Sequence, residues 1–288
     1  MKKMNLPDSK LNETEVKQNG DPGGQLSVFT NVHTAAGSPE KRLLSAFKKD
    51  TNPGKAYLAG REYYSEDGKT FELRLVRRIK QQLSADPTTR PEYPSPLGLT
   101  EFTRRATEVA LGKSSRAIVE ERVLGVQTPG FTAAVRLGAE LLRNWYDHCA
   151  AWCGPVYLSS PCDDSLAGIF QAAGIQDIRE YYYWDDQQRG VCLDKLLEDL
   201  EKAPERSALC YGNVEREAWP VQYCASQGME LLCEAVGHLL CVLKQNSLLL
   251  SVQSQAATIV KSLWAQPSAG GANIVATVLS NPAHVVEW

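Results

Sequence analysis

Six consecutive residues, Gln127-Thr128-Pro129-Gly130-Phe131-Thr132, carry the strongest chemical suggestion in the chain. They leave an apolar strand ending in Gly125-Val126-Gln127 and open a helical pattern, Ala133 to Asp147. A strand-to-helix turn leaves backbone N–H groups free at the positive end of the helix dipole, which suits a phosphate. Thr132 can add a hydroxyl there. By spacing alone the simpler account is preferred, an ordinary turn with Thr132 as helix cap. Tyr93, between Glu92 and Pro94 in a proline-rich stretch over 85–98, is a second candidate through its hydroxyl. Packing by the ring is the commoner use of such a tyrosine. Asp163-Asp164 has the composition of a general acid and base pair, but adjacent carboxylates at a helix start read better as solvent-facing caps. Lys244 is the lysine nearest apolar sequence, where burial would make an amine nucleophilic. Gln245 and Asn246 beside it point to an exposed turn instead. None of the four histidines sits in a triad-like context.

The elements that must position these residues follow from composition and periodicity. The chain has 288 residues, 43% hydrophobic and 23% charged, enough for a sizeable core. A net charge of −3 argues against a nucleic-acid or anionic-membrane partner. Several of the eight cysteines lie inside apolar runs as small hydrophobes. Cys149 and Cys153 lack a matching second pair, so a zinc site is not expected. Reduced core thiols fit a cytoplasmic protein. Residues 1–25 are polar without an apolar stretch and are expected to be a disordered tail, not a secretory signal. The most apolar region, Leu231 to Val252, is broken by Glu234, His238, Lys244 and Asn246, so it reads as core, not a membrane span.

Leu26 to Val32 is a short apolar segment that looks like a docking arm, and Lys41 to Lys49 a short amphipathic helix stopped before Asn52-Pro53-Gly54. Helices are expected over Thr70 to Leu83 and from Thr100, as cap, to about Leu111. Val135, Leu137, Leu141, Leu142 and Trp145 form the buried stripe of the helix after the turn. Strands at Val156 to Ser159, Ile178 to Trp184 and Ala208 to Tyr211 alternate with helices at 163–174 and Asp194 to Lys202. That alternation predicts an α/β fold with a largely parallel sheet. A helix over Glu217 to Gln227, a strand over Leu239 to Leu243 and a long helix over Leu248 to Trp264 complete the pattern.

Segments such as "EYPSPLGLTEF", "RVLGVQT", "RLGAELLRNWY", "FQAAGIQDIREYYYWD", "EREAW" and "ANIVATVLSNP" occur in the order seen in aspartate aminotransferases. Over about residues 26 to 288 the chain resembles that family's cytosolic branch. The resemblance implies a fold-type I pyridoxal-phosphate transferase large domain with a mostly parallel sheet. It also implies a homodimer with an N-terminal arm, and a family reaction between L-aspartate or L-glutamate and 2-oxo acids. Residues 26–52 would be arm and short helix, and 53–288 an incomplete large domain. Cofactor-binding positions carried over are Tyr93, Gly130, Phe131, Thr132 and Asn213.

Departures from the family pattern shape the functional expectation. Phe131 puts a large side chain where the family has glycine. The family's ring-stacking tryptophan falls at Asp163, its distal-carboxylate arginine at Asn273 and a phosphate-binding arginine at Ala235. Deletions are expected near 213/214 and 233/234, and the small C-terminal domain is expected to be missing. The first deletion removes the aspartate that pairs with the pyridinium nitrogen and the tyrosine on the phenolic oxygen, and the second removes the Schiff-base lysine. The resulting expectation is an aspartate aminotransferase-like protein without transaminase activity. The alternatives are a spliced or mispredicted product of an active aminotransferase gene, and a phosphate-binding or dimerising non-enzymatic protein.

Overall fold

A computed structural model of the chain describes residues 29, 32–33, 39–57, 72–87, 93–146, 151–162, 164–210 and 236–288. The described residues through 57 belong to one compact unit and residues 72–288 to another. Asp163, Tyr211, Asn213, Ala235 and the helix expected over Glu217 to Gln227 lie outside the described residues.

In the first unit, α1 (Pro39–Lys49) ends where the chain offers its own side chains as acceptors. Asp50 Oδ1 accepts from the Asn52 N–H at 2.8 Å and Asn52 Oδ1 from the Gly54 N–H at 2.9 Å, the local turn chemistry expected of these residues. The Lys55 ammonium then donates back to the Phe47 and Asp50 carbonyls.

The second unit opens with α2 (Arg74–Ala85), α3 (Thr100–Leu111) and the single turn α4 (Arg116–Val119). Thr100 is the first residue of α3, and Leu99 is its cap position without a side-chain bond, so the expected threonine cap is not made. Strand β1 (Val123–Thr128) follows, then α5 (Phe131–Trp145). Next come β2 (Val156–Ser160), α6 (Asp164–Ala172), β3 (Ile178–Tyr182), the short pair β4 (Trp184–Asp185) and β5 (Gly190–Val191), α7 (Leu193–Glu201) and β6 (Ala208–Cys210). After residue 236 the chain forms β7 (Gly237–Val242), α8 (Leu249–Leu263), α9 (Ala269–Ser280) and α10 (Pro282–Glu287).

The parallel sheet has the order β3-β2-β6, with Val156 opposite both Ile178 and Ala208. Its period-two alternation feeds two cores. Val156 and Leu158 pack with α6 residues Leu166, Ala167 and Phe170. Tyr157 and Tyr181 face the other way, onto Leu196 of α7. Helices on both faces are what buries a parallel sheet. The strand expected near Leu239 begins two residues earlier and runs antiparallel to β1, with Thr128 opposite Gly237 and Val123 opposite Val242. Leu124 and Val126 of β1 pack on Leu137 of α5 and on Ala256, Ile259 and Val260 of α8. A fourth core joins α2, α3 and α9 through Ile79, Phe102 and Val275.

The stripe expected on α5 is met in part. Leu137 is fully buried, while Val135, Leu141 and Leu142 pack partly against the two neighbouring cores. Trp145 is a correction, because it stands 47% exposed at the last turn of the helix. The small residues Ala134 and Ala139 are the other buried positions of this helix.

Candidate functional site

The turn between β1 and α5 is built by main-chain geometry more than by the side chains that the sequence advertises. Thr128 is fully buried and donates its Oγ1 hydrogen to the Gly130 carbonyl at 2.9 Å. The Gly130 N–H returns to the Thr128 carbonyl at 2.9 Å, closing a tight turn around Pro129. Gly130 has φ 88° and ψ 179°, a region essentially reserved for glycine. Gly130 is the residue preceding α5, and no side chain caps the helix. Thr132 lies inside the first turn, so the capping role weighed for it does not arise. Among the described residues, no acceptor is found for the N–H groups of Phe131, Thr132 and Ala133. They are donors at the positive end of a 15-residue helix. The Phe131 side chain is 41% exposed.

Gly237, the first residue of β7, presses on this turn. A Cβ there would lie 2.4 Å from the Gly130 carbonyl oxygen and 2.5 Å from Thr128 Oγ1. Only a glycine allows β7 to support the turn so closely. The next residue, His238, sits with its Nε2 3.5 Å from the Thr107 hydroxyl and its ring edge-on to Phe102. Burial pushes its pKa down to about 4, so it is neutral near neutral pH.

Gln127 fixes the strand one residue before the turn. It is 1% exposed. Its N–H donates to the Leu97 carbonyl at 2.9 Å, its Oε1 accepts from the Leu99 N–H at 3.0 Å, and its Nε2 donates to the Ser268 carbonyl at 2.6 Å. The donor at Leu99 and the acceptor at Ser268 fix which way the amide points. Gly98, at φ 95°, makes room, since a Cβ there would fall 2.2 Å from the Gln127 Cβ.

Tyr93 is 85% exposed, its ring unpacked rather than part of a core. Asn273 lies on α9, half-buried, five residues after Ser268. Lys244 is exposed beyond the end of β7. That is the end of the ladder opposite Gly237, a separation of seven residues, roughly 20 Å in extended chain. A cavity of about 380 Å³ between α3, α9 and α10 is lined by Arg105, Glu108, Lys113, Leu279 and Val285 and involves none of these residues. No described helix is long and apolar enough to cross a membrane.

The turn, Thr132 and Gly130 were visible in the sequence. The supporting roles of Gln127, Thr128, Gly98 and Gly237 were not, although the pair Gly237-His238 at the head of an apolar run marks a close approach once β7 is known to start there.

The profile of a family described as "Aminotransferase class I and II" matches residues 58–216. The cytoplasmic aspartate aminotransferase of Gallus gallus is 34% identical over 316 residues, which take in 91% of this chain and 77% of that protein. The cytoplasmic aspartate aminotransferase of Caenorhabditis elegans is 29% identical over 319 residues, 91% of this chain and 76% of that one. Both alignments are longer than the 288-residue chain itself, so stretches of these relatives have no counterpart within it. Among solved structures, the Saccharomyces cerevisiae cytoplasmic aspartate aminotransferase matches with TM-score 0.76 and 22% identity over 91% of this chain and 77% of that one. An aromatic-amino-acid aminotransferase from Burkholderia pseudomallei, solved covalently bound to pyridoxal phosphate, matches with TM-score 0.78, 23% identity and the same coverage.

Proposed function

We infer that this chain, which belongs to the aminotransferase class I and II family, is an aspartate aminotransferase homologue that keeps a phosphate cradle and does not itself transfer amino groups. The observation that carries the reading is the separation of its two chemical halves. The free amides of Phe131, Thr132 and Ala133 and the Thr132 hydroxyl stand at one end of the β1–β7 ladder. Lys244 stands at the other. Among the described residues no lysine lies on the β1–α5 turn or on β7.

The donor set fits the phosphate of pyridoxal phosphate, and among the described residues nothing found beside it fits the rest of that cofactor. The cofactor supplies aminotransferases with an electron sink next to a lysine, a pyridinium partner and substrate clamps. Here the phosphate end has amides and a hydroxyl. The position expected to clamp the distal carboxylate of aspartate is Asn273, a neutral amide that cannot form the paired, charge-assisted bonds of a guanidinium. Glycine at 130 lets the backbone approach a phosphate, while the partly exposed Phe131 side chain narrows the approach.

The same reading takes residues 26–52 as an arm and short helix and 53–288 as an incomplete large domain. It takes the assembly as a homodimer in the cytoplasm, in which Tyr93 reaches a neighbouring subunit's phosphate site. The high exposure of Tyr93 supports that role. Asn213, outside the described residues, remains part of the proposed set.

A second reading is favoured by the alignments that exceed the chain in length. In it, the chain is a shortened product of a gene whose full form is an active aminotransferase. Exons encoding the skipped stretches, found in the flanking genomic sequence, would support it.

The test of the first reading is direct. The purified chain is mixed with pyridoxal phosphate, reduced with borohydride and digested for mass spectrometry, and assayed with aspartate and 2-oxoglutarate. The expected result is no single pyridoxylated lysine and no amino transfer. One stoichiometrically modified lysine together with turnover would overturn the reading.

A further inference from the structure

We propose that Gln127 is a positioning residue that couples occupancy of the β1–α5 turn to the seating of the 95–99 turn and of the first turn of α9. The inference rests on the phosphate reading of the β1–α5 turn and goes beyond it to how the site is held and what it moves.

Three segments far apart in sequence meet on one side chain. Leu97 and Leu99 belong to the turn that Ser95 and Gly98 close, where the Gly98 N–H donates to the Ser95 carbonyl at 2.8 Å. Ser268 is the residue preceding α9. Gln127 itself is one peptide away from Thr128, whose hydroxyl shapes the Gly130 turn. All three polar groups that Gln127 engages are backbone groups, and the residue is 1% exposed. Water cannot replace these bonds without entering the core, so losing the carboxamide leaves the Leu99 N–H or the Ser268 carbonyl unpaired. A buried amide satisfied at both ends has one arrangement, and that arrangement sets the last peptides of β1.

Phosphate recognition by helix-terminal amides requires those peptides to be in register, because hydrogen bonds weaken steeply with angle. An anion on the turn therefore holds the end of β1, and through the carboxamide it holds Leu99 and Ser268. The coupling is reciprocal: a seated α9 and 95–99 turn favour anion binding by the same factor. The carboxamide touches no part of the ligand, so Gln127 acts only through its neighbours.

The experiment uses the full chain and inorganic phosphate. Phosphate affinity is measured by calorimetry, and hydrogen exchange by mass spectrometry on peptides spanning 95–100 and 265–272. In the unsubstituted chain, phosphate is expected to slow exchange in both peptides. Gln127→Met keeps the length and removes both bonds; it is expected to weaken phosphate binding tenfold or more and to abolish the slowing at 95–100. Gln127→Glu gives a second arm that does not depend on comparing two foldable variants. Its introduced carboxylate still accepts from Leu99 but faces the Ser268 carbonyl with a second acceptor. Protonation turns that oxygen into a donor and restores the missing bond. Its affinity relative to the unsubstituted chain is expected to rise at least threefold between pH 8 and pH 5.5. Unchanged affinity and unchanged phosphate-dependent slowing in Gln127→Met would overturn the proposal, as would a pH-independent ratio for Gln127→Glu. No phosphate response in the unsubstituted chain would overturn the phosphate reading and this coupling with it, a result distinct from a normal response that the variants leave intact.

Discussion

The two ends of the β1–β7 ladder share one pair of strands and differ in almost everything else. At the Thr128–Gly237 end Thr128 and Gly237 are buried, glycines stand where side chains would collide, and the Thr128 hydroxyl is paired with main chain. At the Val123–Val242 end, Arg122 pairs with Glu120 and donates to the Leu243 carbonyl, Val242 is 51% exposed and Lys244 points into solvent. The first end leads into an uncapped 15-residue helix; the second ends in surface charge. Close backbone approach marks the end that carries the unpaired amides of the α5 N-terminus. The lesson is that a lysine near apolar sequence is not thereby near the β1–α5 turn.

Four perturbations test this contrast. The largest effect is expected from Gly237→Ala, whose Cβ meets backbone that cannot swing aside, 2.4 Å from the Gly130 oxygen. Stability should fall by about 3 kcal/mol in denaturant titrations, the upper range for overpacking. Any stabilisation by phosphate should disappear.

Acid is the second perturbation. His238 has a folded pKa pushed to about 4 by burial, beneath its ordinary value of 6.5. The unfolded chain therefore takes up the proton first, and stability is at its full value above pH 6.5 and falls as pH drops from 6.5 towards 4. The expected loss from this group is about 3 kcal/mol across that window. Comparing the pH dependence of unfolding with that of His238→Gln isolates it. An unchanged slope in the variant would show that the ring does not resist protonation.

Thr128→Val keeps the shape and removes the hydroxyl that bonds the Gly130 carbonyl. A loss of about 1 kcal/mol is expected in thermal unfolding, with weaker phosphate binding. At the opposite end, Lys244→Ala should change stability by less than about 0.5 kcal/mol. It should also leave borohydride trapping with pyridoxal phosphate unaltered. A change in either would bring Lys244 into the site and erase the contrast between the two ends.

Much of the secondary structure was readable before any coordinates. α3 runs over Thr100–Leu111, α7 over Leu193–Glu201 and α8 over Leu249–Leu263, each within a residue or so of its pattern. Apolar periodicity set those bounds because each helix must bury one face. Capping was less readable. Thr100 and Thr132 both have the chemistry of caps, yet α3 and α5 start from Leu99 and Gly130 without side-chain bonds. Trp145 continued the apolar stripe of α5 but lies beyond the reach of its cores. Periodicity reports which face of a helix is apolar and does not say where its neighbours stop.

The residues themselves determined the alternation of strands and helices, the parallel character of the main sheet and the strand-to-helix turn after Gln127, because these depend on spacings of a few residues. Only the tertiary structure decided that β7 runs against β1, that Gly237 underpins Gly130, and that Gln127 joins segments 28 and 141 residues away. Those contacts link parts of the chain that share no local pattern, and their energies come from mutual burial, which no stretch of sequence holds alone.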